Sequence, residues 1–345
     1  MKAMGFNEHG NYEKIHEIEV KDPNVPENYV LIRLKSTSIN TLDLMTRNGI
    51  PGFKFEMPHI PGSDVFGIVE AVGKNANKFS IGDEVIANTA YGCGICSFCK
   101  SGLEHKCPSL KCLGLHVNGS YAELISVPES ILLRASKSFT EKELAALPLH
   151  LPLAWRNIKK LALAKPDETI LIKGATGNVG IYGILMAKAL KLNIIALTRN
   201  PENELILKKL GVNTVISGKD YTENLTKSVM DITNNKGVDI ILESFGSTMN
   251  TSIDVAAYNA RIISFGVLTG SESNINIRKL YLRNISILGT HNASKEDLDE
   301  SIEFAIKNNI HPLISASYDL KDASVAQKKF EDHNSIGKII LQNRF

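Results

Sequence analysis

The 345-residue chain has 39 basic and 37 acidic residues, a formal net charge of +2, and a hydrophobic content of 43%. This balance is typical of a globular protein large enough for two cores, and it argues against a disordered chain or a nucleic-acid-binding surface. No apolar run approaches the roughly 18 residues that cross a bilayer, and the N-terminal segment lacks the apolar core of a signal peptide. We therefore expect a cytoplasmic protein that binds a small molecule, with neither nucleic acid nor membrane as a partner.

The N-terminal third has the pattern of short strands separated by turns. Apolar or alternating runs lie at residues 29–35, 64–72 and 121–127, and Gly, Pro and Asn clusters flank them. These runs predict a compact β-rich domain. A capping box formed by Thr140 and Glu143 then predicts the first substantial helix.

A different rhythm begins at residue 169. Apolar runs alternate with amphipathic stretches at the spacing of a doubly wound parallel sheet, and these runs are residues 169–173, 212–216, 238–242 and 261–264. The sequence therefore predicts an α/β fold with a parallel-sheet domain after the β-rich one.

Helix signals are clear at two places in this second half. Asn200 is placed as an N-cap, Pro201 as the first helical residue and Gly211 as the residue just past the helix end. A helix over residues 294–307 and a strand over residues 336–341 are predicted to close the chain.

Residues 169–183 run from an apolar strand through a Gly-rich turn into a helix, which is the context that a dinucleotide-binding turn requires. Gly174 permits the tight turn, Gly177 lets the backbone approach a pyrophosphate, and Gly180 lets the helix sit close on the sheet. We assign Val179, and Gly266 after a later strand, to the same cofactor-binding set. The alternative is a strand–helix turn whose glycines are incidental.

The second strand of this unit is predicted to end at Thr198 and Arg199, where an NAD-binding site usually carries an acidic residue. A carboxylate there would repel a 2′-phosphate, whereas Thr198 can hydrogen-bond one and Arg199 can pair with it. These residues favour NADP(H), with NAD still possible. A solvated loop arginine is the alternative interpretation.

Four cysteines lie close together, at positions 93, 96, 99 and 107. The spacing of Cys93, Cys96, Cys99 and Cys107 predicts one tetrahedral zinc, and four thiolates leave no open position for chemistry. The site is therefore expected to be structural, with incidental thiols or a redox pair as the alternative. Cys112 lies outside the spacing and is expected to be a buried, unbonded thiol.

With both motifs in place, the whole chain resembles the medium-chain dehydrogenase/reductase superfamily, also called the zinc-type alcohol dehydrogenase family. The resemblance implies a GroES-like domain over residues 1–153, to which residues 293–345 return, and a Rossmann domain over residues 154–292. It implies a nicotinamide cofactor and a small-molecule substrate in a cleft between them. It also implies a homo-oligomer, a dimer or a tetramer, in which the strand predicted at residues 285–288 forms an interface.

Zinc alcohol dehydrogenases of this family hold a catalytic metal through two cysteines and a histidine. In the corresponding segments this chain has Asn40, Ser63 and Leu149. Amide and hydroxyl oxygens are weak zinc ligands and a leucine offers none. The resemblance therefore implies one structural zinc and no catalytic zinc.

The segments around Asn40, Asp43 and Asp64 resemble instead the quinone oxidoreductase branch, which works without a catalytic metal. This implies hydride transfer from NADPH to a quinone or an activated alkene, whose developing oxyanion needs only hydrogen-bond donors. Asn40 is the candidate that donates to the substrate oxygen or positions the nicotinamide ribose, and Asp43 is the candidate that orients Asn40 or its loop. A buried structural asparagine and a turn-stabilising aspartate are the alternatives. Ile50 follows Gly49 where enoyl reductases of the superfamily commonly place a tyrosine, which argues against a fatty enoyl thioester.

Two further functional hypotheses remain open. His150, with His59, Asp64 and His116, could rebuild a different catalytic metal site, which would make the chain an alcohol or aldehyde dehydrogenase. The chain could also be a cofactor-binding structural or regulatory protein without useful turnover.

The loop after residue 50 is rich in apolar side chains. Phe53, Phe55 and Met57 are candidates for an apolar wall beside the substrate, and core packing is the alternative.

Overall fold

The computed structural model describes residues 1–218, 224–332 and 336–345. Within these residues, no helix is both long and apolar enough to span a membrane. Internal contacts divide the chain into two compact units. Unit 1 comprises Met1–Pro152, Asn292–Ile306 and His311–Phe345; unit 2 comprises Leu153–His291 and Lys307–Ile310.

The described residues form seventeen strands, numbered β1 to β17 in chain order. They are Lys2–Gly5, His16–Glu19, Tyr29–Ser38, Val65–Val72, Glu84–Ala87, Ala90–Tyr91, Lys111–Cys112, Leu124–Pro128, Leu132–Arg134, Thr169–Ile172, Asn193–Thr198, Thr214–Ser217, Val238–Glu243, Ala256–Ser264, Ser286–Gly289, Ile314–Asp319 and Lys338–Gln342.

The same parts of the chain contain eleven α-helices, numbered α1 to α11. They are Thr41–Asn48, Ser97–Lys100, Glu141–Ala146, His150–Trp155, Asn178–Ala189, Glu204–Leu210, Leu225–Ile232, Met249–Val255, Ile277–Leu282, Lys295–Lys307 and Ala323–Glu331. A π-helical stretch follows α4 over Arg156–Leu161. Short 3-10 helices lie at Tyr12–Lys14, Glu104–Lys106, Glu129–Ile131, Pro201–Asn203 and Leu320–Asp322.

Unit 1 is built on a seven-stranded sheet with the order β16-β17-β3-β4-β5-β9, and β8 also pairs with β3. The central strand β3 is antiparallel to β17, with Ser38 opposite Ile340. The Ile39 amide continues this pairing by donating to the Ile339 carbonyl at 2.9 Å. The C-terminal strand therefore returns to the N-terminal sheet at the point where β3 ends and α1 begins.

Unit 2 contains a six-stranded parallel sheet with the order β12-β11-β10-β13-β14-β15. This is the 3-2-1-4-5-6 order of a doubly wound dinucleotide-binding fold, in which ligands bind beyond the carboxyl ends of the strands. Its fully buried strand residues, including Leu171, Ile241 and Ile262, pack in one hydrophobic cluster. The predicted α/β class, a β-rich GroES-like domain plus a Rossmann domain, is confirmed.

Most predicted elements are present with shifted ends. The predicted capping box is present, since the Thr140 and Glu143 side chains accept from each other's backbone amides. The predicted helix after Asn200 begins as the 3-10 turn Pro201–Asn203 and continues as α6, and Gly211 ends it with φ +114°. The strand predicted at residues 121–127 starts instead at Leu124, because the Tyr121 backbone amide bonds to the Pro61 carbonyl outside the sheet.

Candidate active site and cofactor-binding turn

The Gly-rich turn of unit 2 connects β10 to α5. Gly174 has φ +72°, and a Cβ at Gly180 would lie 2.4 Å from the Gly174 carbonyl oxygen, so both positions require glycine. Gly180 therefore packs against the turn itself. Gly183 is the glycine that faces the sheet, since a Cβ added there would lie 3.1 Å from Leu242 Cδ1. Helix α5 has no acidic residue in its first turn, and Gly177, its N-cap, offers no side-chain cap. The first amides of α5 are therefore available to an anionic group, as a dinucleotide pyrophosphate needs.

A buried ion pair anchors this turn and was not predicted from the sequence. Lys173 Nζ lies 2.5 Å from Glu243 Oε2 and 3.0 Å from Ser252 Oγ, and the side chains of Lys173 and Glu243 are fully buried. Glu243 Oε1 also accepts from the Phe245 amide at 2.8 Å. The only sign of this ion pair in the sequence was a lysine at the end of a predicted apolar strand. Its partner lies 70 residues away.

The other predicted cofactor residues have distinct environments. Thr198 is buried, and its hydroxyl donates to the Asn200 carbonyl at 3.4 Å and accepts from Asn203 Nδ2 at 3.2 Å. Arg199 is exposed and Val179 is half-buried. A Cβ at Gly266 would lie 2.8 Å from the Ser244 carbonyl oxygen, so this turn brings two backbone segments into contact. Of the two predicted 2′-phosphate ligands, Arg199 is the one whose side chain has no hydrogen bond to another described residue.

The four cysteines of the predicted zinc site come together in unit 1. Their Sγ atoms all lie within 4.8 Å of one another, and Cys96 Sγ lies 3.5 Å from Cys99 Sγ and 3.8 Å from Cys107 Sγ. Zinc–thiolate bonds of about 2.3 Å in a tetrahedron separate the sulfurs by about 3.8 Å, so the cluster fits Zn²⁺. A Cβ at Gly92 would lie 2.5 Å from Cys99 Sγ, so the lobe closes only with glycine there.

Within residues 1–218, 224–332 and 336–345, this cysteine cluster is the one group of three or more His, Cys, Asp or Glu side chains placed to share a metal ion. His59 Nε2 bonds the Gly114 carbonyl at 3.0 Å, and His116 Nδ1 accepts from the Cys112 amide at 3.1 Å. The structure therefore does not bring His59, His116, His150 and Asp64 together as a set of ligands.

The three positions that correspond to catalytic-zinc ligands in the family converge in unit 1. Asn40 Nδ2 lies 3.3 Å from Ser63 Oγ and 2.9 Å from Asp64 Oδ2. The Leu149 amide donates to the other oxygen of Asp64 at 2.9 Å. Asn40, Ser63 and Asp64 are fully buried. The three segments therefore meet as the resemblance implies. Their contacts are made by the Asp64 carboxylate and the Asn40 amide group, which replace the cysteine and histidine side chains of a zinc site.

A lysine that was not predicted from the sequence completes this cluster. Lys338, at the start of β17, donates from Nζ to Asn40 Oδ1 at 2.6 Å, to Ser38 Oγ at 2.7 Å and to Asp64 Oδ2 at 2.9 Å. Its side chain is 1% exposed, and burial lowers its pKa while the Asp64 carboxylate raises it. The Asn40 oxygen, which stands at a ligand position, is thus bonded to an ammonium. A lysine inside a predicted apolar strand was the only sequence signal.

Asp43 secures the backbone beneath this cluster. Its Oδ2 accepts from the Asn40 amide at 2.8 Å and from the Tyr121 hydroxyl at 3.1 Å, while Oδ1 accepts from the Gly62 amide at 3.1 Å. Burial raises the pKa of Asp43 to about 7, and the nearby Asp64 adds to that rise. Asp43 therefore ties the start of α1 to the segment that carries Ser63 and Asp64.

His150 begins α4, directly after Leu149. The residue is half-buried, and its Nδ1 is buried without a hydrogen-bond partner among the described residues. Burial lowers its pKa well below the ordinary value, and the positive charge of Lys338 lowers it further. The imidazole is therefore neutral.

The predicted apolar loop forms an aromatic cluster in unit 1. The rings of Phe53 and Phe55 lie 4.5 Å apart, and Phe55 also packs edge-on against His9 and His59 at 5.0 and 5.2 Å. Both phenylalanines are half-buried and Met57 is 38% exposed. The loop thus packs on unit 1 and leaves part of its apolar surface uncovered.

Two family models match the chain. The Alcohol dehydrogenase GroES-like domain matches residues 26–137, and the Zinc-binding dehydrogenase family matches residues 178–307. The first match covers most of the β-rich part, including the cysteine lobe. The second match lies mainly in the parallel-sheet part and starts at α5, after the first strand of that sheet.

Individual proteins resemble the chain over nearly its full length. It is 27% identical to an acryloyl-coenzyme A reductase of Sulfurisphaera tokodaii, over 94% of this chain and 95% of that protein. It is 27% identical to an NAD-dependent alcohol dehydrogenase of Sulfolobus acidocaldarius, over 99% of each. A crystal structure of an NAD-dependent alcohol dehydrogenase superposes with a TM-score of 0.90 at 28% identity, covering 99% of both chains. The chain is thus an NAD(P)-dependent oxidoreductase that belongs to the medium-chain dehydrogenase/reductase family, the zinc-type alcohol dehydrogenase-like enzymes.

Proposed function

We propose that this enzyme reduces a carbon–carbon double bond conjugated to a carbonyl group, with NADPH as hydride donor and without a catalytic metal. The observation that carries the proposal is the Lys338 ammonium, bonded to Asn40 Oδ1 among the three ligand-equivalent positions. Asn40, Ser63 and Leu149 supply no thiolate or imidazole. The carboxylate that bonds to the side chain of Asn40, that of Asp64, is already paired with Lys338.

Chemical reasoning favours an alkene over a simple alcohol. Oxidation of an alcohol needs a near-alkoxide, which zinc provides by lowering the pKa of a bound hydroxyl. Reduction of a conjugated alkene places negative charge on a carbonyl oxygen, where hydrogen-bond donors suffice. Of the two acceptors expected from the sequence, an activated alkene also matches the name of the acryloyl-coenzyme A reductase relative.

The proposed reaction balances as one hydride and one proton added across the double bond. The Gly-rich turn and Arg199 would hold NADPH, which would supply the hydride. A C–H bond forms at the carbon distant from the carbonyl as the π bond breaks. The electron pair moves to the carbonyl oxygen as an enolate. A solvent proton then adds to the carbon next to the carbonyl, which leaves a saturated product and NADP⁺.

In this proposal Asn40 and Asp43 act as positioning residues. The Asn40 oxygen accepts from Lys338 and its Nδ2 donates to Asp64 and Ser63, so the amide is engaged within the protein. This supports a role in holding the ligand-equivalent segments together over direct donation to the substrate. Asp43 fixes the Asn40 backbone through the bond at 2.8 Å.

The preference for NADPH is proposed from Arg199. This exposed side chain follows β11, where a carboxylate would otherwise bind the ribose hydroxyls. Gly174, Gly177, Val179, Gly180, Thr198 and Gly266 form the remainder of the proposed cofactor site. One structural zinc is proposed for the cysteine lobe.

The assembly and the location also stay predictions. We propose a homo-oligomer, a dimer or a tetramer, formed through the outer edge of β15, because this strand ends the unit 2 sheet. We place the enzyme in the cytoplasm. Sedimentation of the purified protein would test the oligomeric state.

The decisive experiment measures activity and metal content on the same dialysed preparation. NADPH oxidation is followed with a short enoyl thioester, an enone and a quinone, and NAD(P)⁺ reduction with primary and secondary alcohols. We expect alkene reduction and about one zinc per chain. Alcohol oxidation with two zincs per chain would overturn the proposal in favour of a dehydrogenase with a rebuilt metal site. Binding of NADPH without turnover on any acceptor would favour a non-enzymatic role.

A further inference from the structure

The buried ion pair of unit 2 joins the two strands between which a doubly wound sheet opens its binding crevice. From β10 the chain adds β11 and β12 on one side of the sheet, and then β13, β14 and β15 on the other. Ligands of such folds bind outside the carboxyl ends of the strands at this switch point. Lys173 directly follows β10 and Glu243 ends β13. Their fully buried side chains, 2.5 Å apart from Nζ to Oε2, therefore connect the two strand ends that border the crevice.

The ion pair shapes the loop over residues 244–248, which follows β13. Glu243 Oε1 accepts from the Phe245 amide at 2.8 Å, near the start of this loop. Lys173 Nζ donates to Thr248 Oγ1 at 2.5 Å and to the Thr248 carbonyl at 3.2 Å, at its end. One carboxylate and one ammonium thus hold both ends of the loop.

The backbone of Lys173 ties the same pair to the Gly-rich turn. Lys173 precedes Gly174, whose φ of +72° begins the turn. The Lys173 amide donates to the Leu242 carbonyl at 3.1 Å, and the Lys173 carbonyl accepts from Ser244 Oγ at 3.0 Å. A Cβ at Gly174 would lie 2.6 Å from Ser244 Oγ, so the turn and the loop are in direct contact. A displacement of Lys173 would therefore disturb both sides of the crevice.

The contacts continue to the segment over residues 265–270, which follows β14. The Phe245 carbonyl accepts from the amide and from the hydroxyl of Thr269, both at 2.9 Å. Gly246 has φ +81°, and a Cβ there would lie 2.1 Å from the Gly270 carbonyl oxygen. The buried pair thus orders the carboxyl ends of three neighbouring strands, directly at two of them and through one loop at the third.

We propose that Lys173 is a positioning residue for the dinucleotide: through Glu243 it holds the Gly-rich turn and the loop over residues 244–248 in the arrangement that binds the cofactor. Its ammonium is enclosed by protein, so it acts through these two segments. The inference rests on the proposed cofactor site at the Gly-rich turn and is independent of the hydride acceptor. Because the pair acts on the frame of the crevice, it supports the binding of NADPH and NADH alike.

The test is the double variant Lys173→Met/Glu243→Gln, which removes both charges and so leaves no unpaired charge in the interior. If the released segments keep the binding arrangement for about a tenth of the time, Kd for the cofactor rises about tenfold. We expect this rise for NADPH and for NADH. Titration of reduced-nicotinamide fluorescence measures both Kd values, at a temperature where circular dichroism shows each variant to be folded. The measurement needs no turnover, so its result does not depend on whether the wild type reduces an alkene.

Arg261→Met is the matched control for a general loss of stability. Arg261 pairs at 2.8 Å with Glu168, which directly precedes β10 as Lys173 directly follows it. The control therefore removes an ion pair of the same sheet at the opposite end of the same strand. We expect a lower Tm and unchanged Kd values for both nucleotides.

Thr248→Val is a milder second variant, which keeps the test decisive if the double variant does not fold. It removes the bond from Lys173 Nζ to Thr248 Oγ1 and retains both charges. Thr248 makes no side-chain cap to α8, so the helix end loses no bond. We expect a smaller rise in Kd than for the double variant, again equal for NADPH and NADH.

Four outcomes would overturn the inference. The first is a pair of wild-type Kd values in the double variant, or in Thr248→Val if the double variant does not fold. The second is an equal rise in Arg261→Met, which would trace the effect to general weakening of unit 2. The third is a rise for NADPH alone, which would assign the effect to the 2′-phosphate. The fourth is a wild type that binds neither nucleotide, and this outcome alone also overturns the proposed cofactor site.

Discussion

Lys338 Nζ lies 2.6 Å from Asn40 Oδ1, although the two residues are 298 positions apart in the chain. The same ammonium lies 2.9 Å from Asp64 Oδ2. Because β17 pairs with β3, a positive charge from the C-terminal strand stands where the family resemblance places metal ligands. The buried carboxylate of Asp64 is thus balanced by a lysine of the protein itself.

The first prediction concerns this ion pair. Lys338→Met leaves the Asp64 carboxylate buried without its counter-charge, so the free energy of unfolding should fall by about 3–5 kcal/mol. Combining it with Asp64→Asn should recover a large part of that loss, since both charges are then gone. Urea unfolding measures all three variants.

The exposed pair Lys2–Glu17 provides the control for that experiment, with both side chains nearly half exposed. Lys2→Met should leave the free energy of unfolding nearly unchanged, because solvent screens an exposed ion pair. Equal losses for the Lys2 and Lys338 variants would contradict a special role for burial at Lys338.

The second prediction is a pH dependence that comes from Asp43. Its pKa is about 7 in the folded protein against 3.8 ordinarily, so between these values the folded state holds a proton that the unfolded state has released. The protonated Asp43 therefore contributes fully to the free energy of unfolding below pH 3.8. This contribution, roughly 4 kcal/mol in total, is lost as pH rises to about 7. Asp43→Asn cannot titrate. The stability difference between wild type and variant should therefore change across this window, and a constant difference would refute the shifted pKa.

The third prediction concerns cofactor choice. Arg199→Ala should raise KM for NADPH about tenfold or more and leave KM for NADH nearly unchanged, because a charge-assisted bond to the 2′-phosphate is lost. Arg199→Asp should invert the preference. Lys208→Ala, which removes an exposed basic residue paired with Glu204, is the control for general charge effects. Equal changes in both KM values would argue against a 2′-phosphate contact.

The fourth prediction concerns the cysteine lobe. Cys107→Ser should reduce the zinc content from about one ion per chain to near zero and lower Tm, because three thiolates no longer close the tetrahedral site. Cys112→Ser should retain its zinc, since Cys112 lies outside the four-cysteine cluster. Elemental analysis of dialysed protein measures both. Retention of zinc by the Cys107 variant would show that the metal binds elsewhere.

Local chain properties were sufficient to predict the main framework. The cysteine spacing, the Gly-rich turn and the alternation of strands and helices each depend on residues close together in sequence, where periodicity and turn chemistry act directly. Gly174 illustrates this, because a tight turn was predicted there from the strand and helix on either side, and its φ is +72°. The same locality explains why strand ends were less accurate: Tyr121 leaves its predicted strand through a bond to Pro61, a partner set by packing.

Tertiary structure decided the chemistry of the candidate site. The sequence identified Asn40, Ser63 and Leu149 as substitutions at ligand positions. A lysine inside a predicted apolar strand was the only signal of Lys338, and it did not indicate the partners of that lysine. A lysine within an apolar strand can be exposed at an edge or buried against an acid, and only the pairing of β17 with β3 determines which. Composition and motifs therefore determined the family of this enzyme. The burial of opposite charges by distant strands determined the electrostatics of its site, because desolvation depends on what surrounds a group in space.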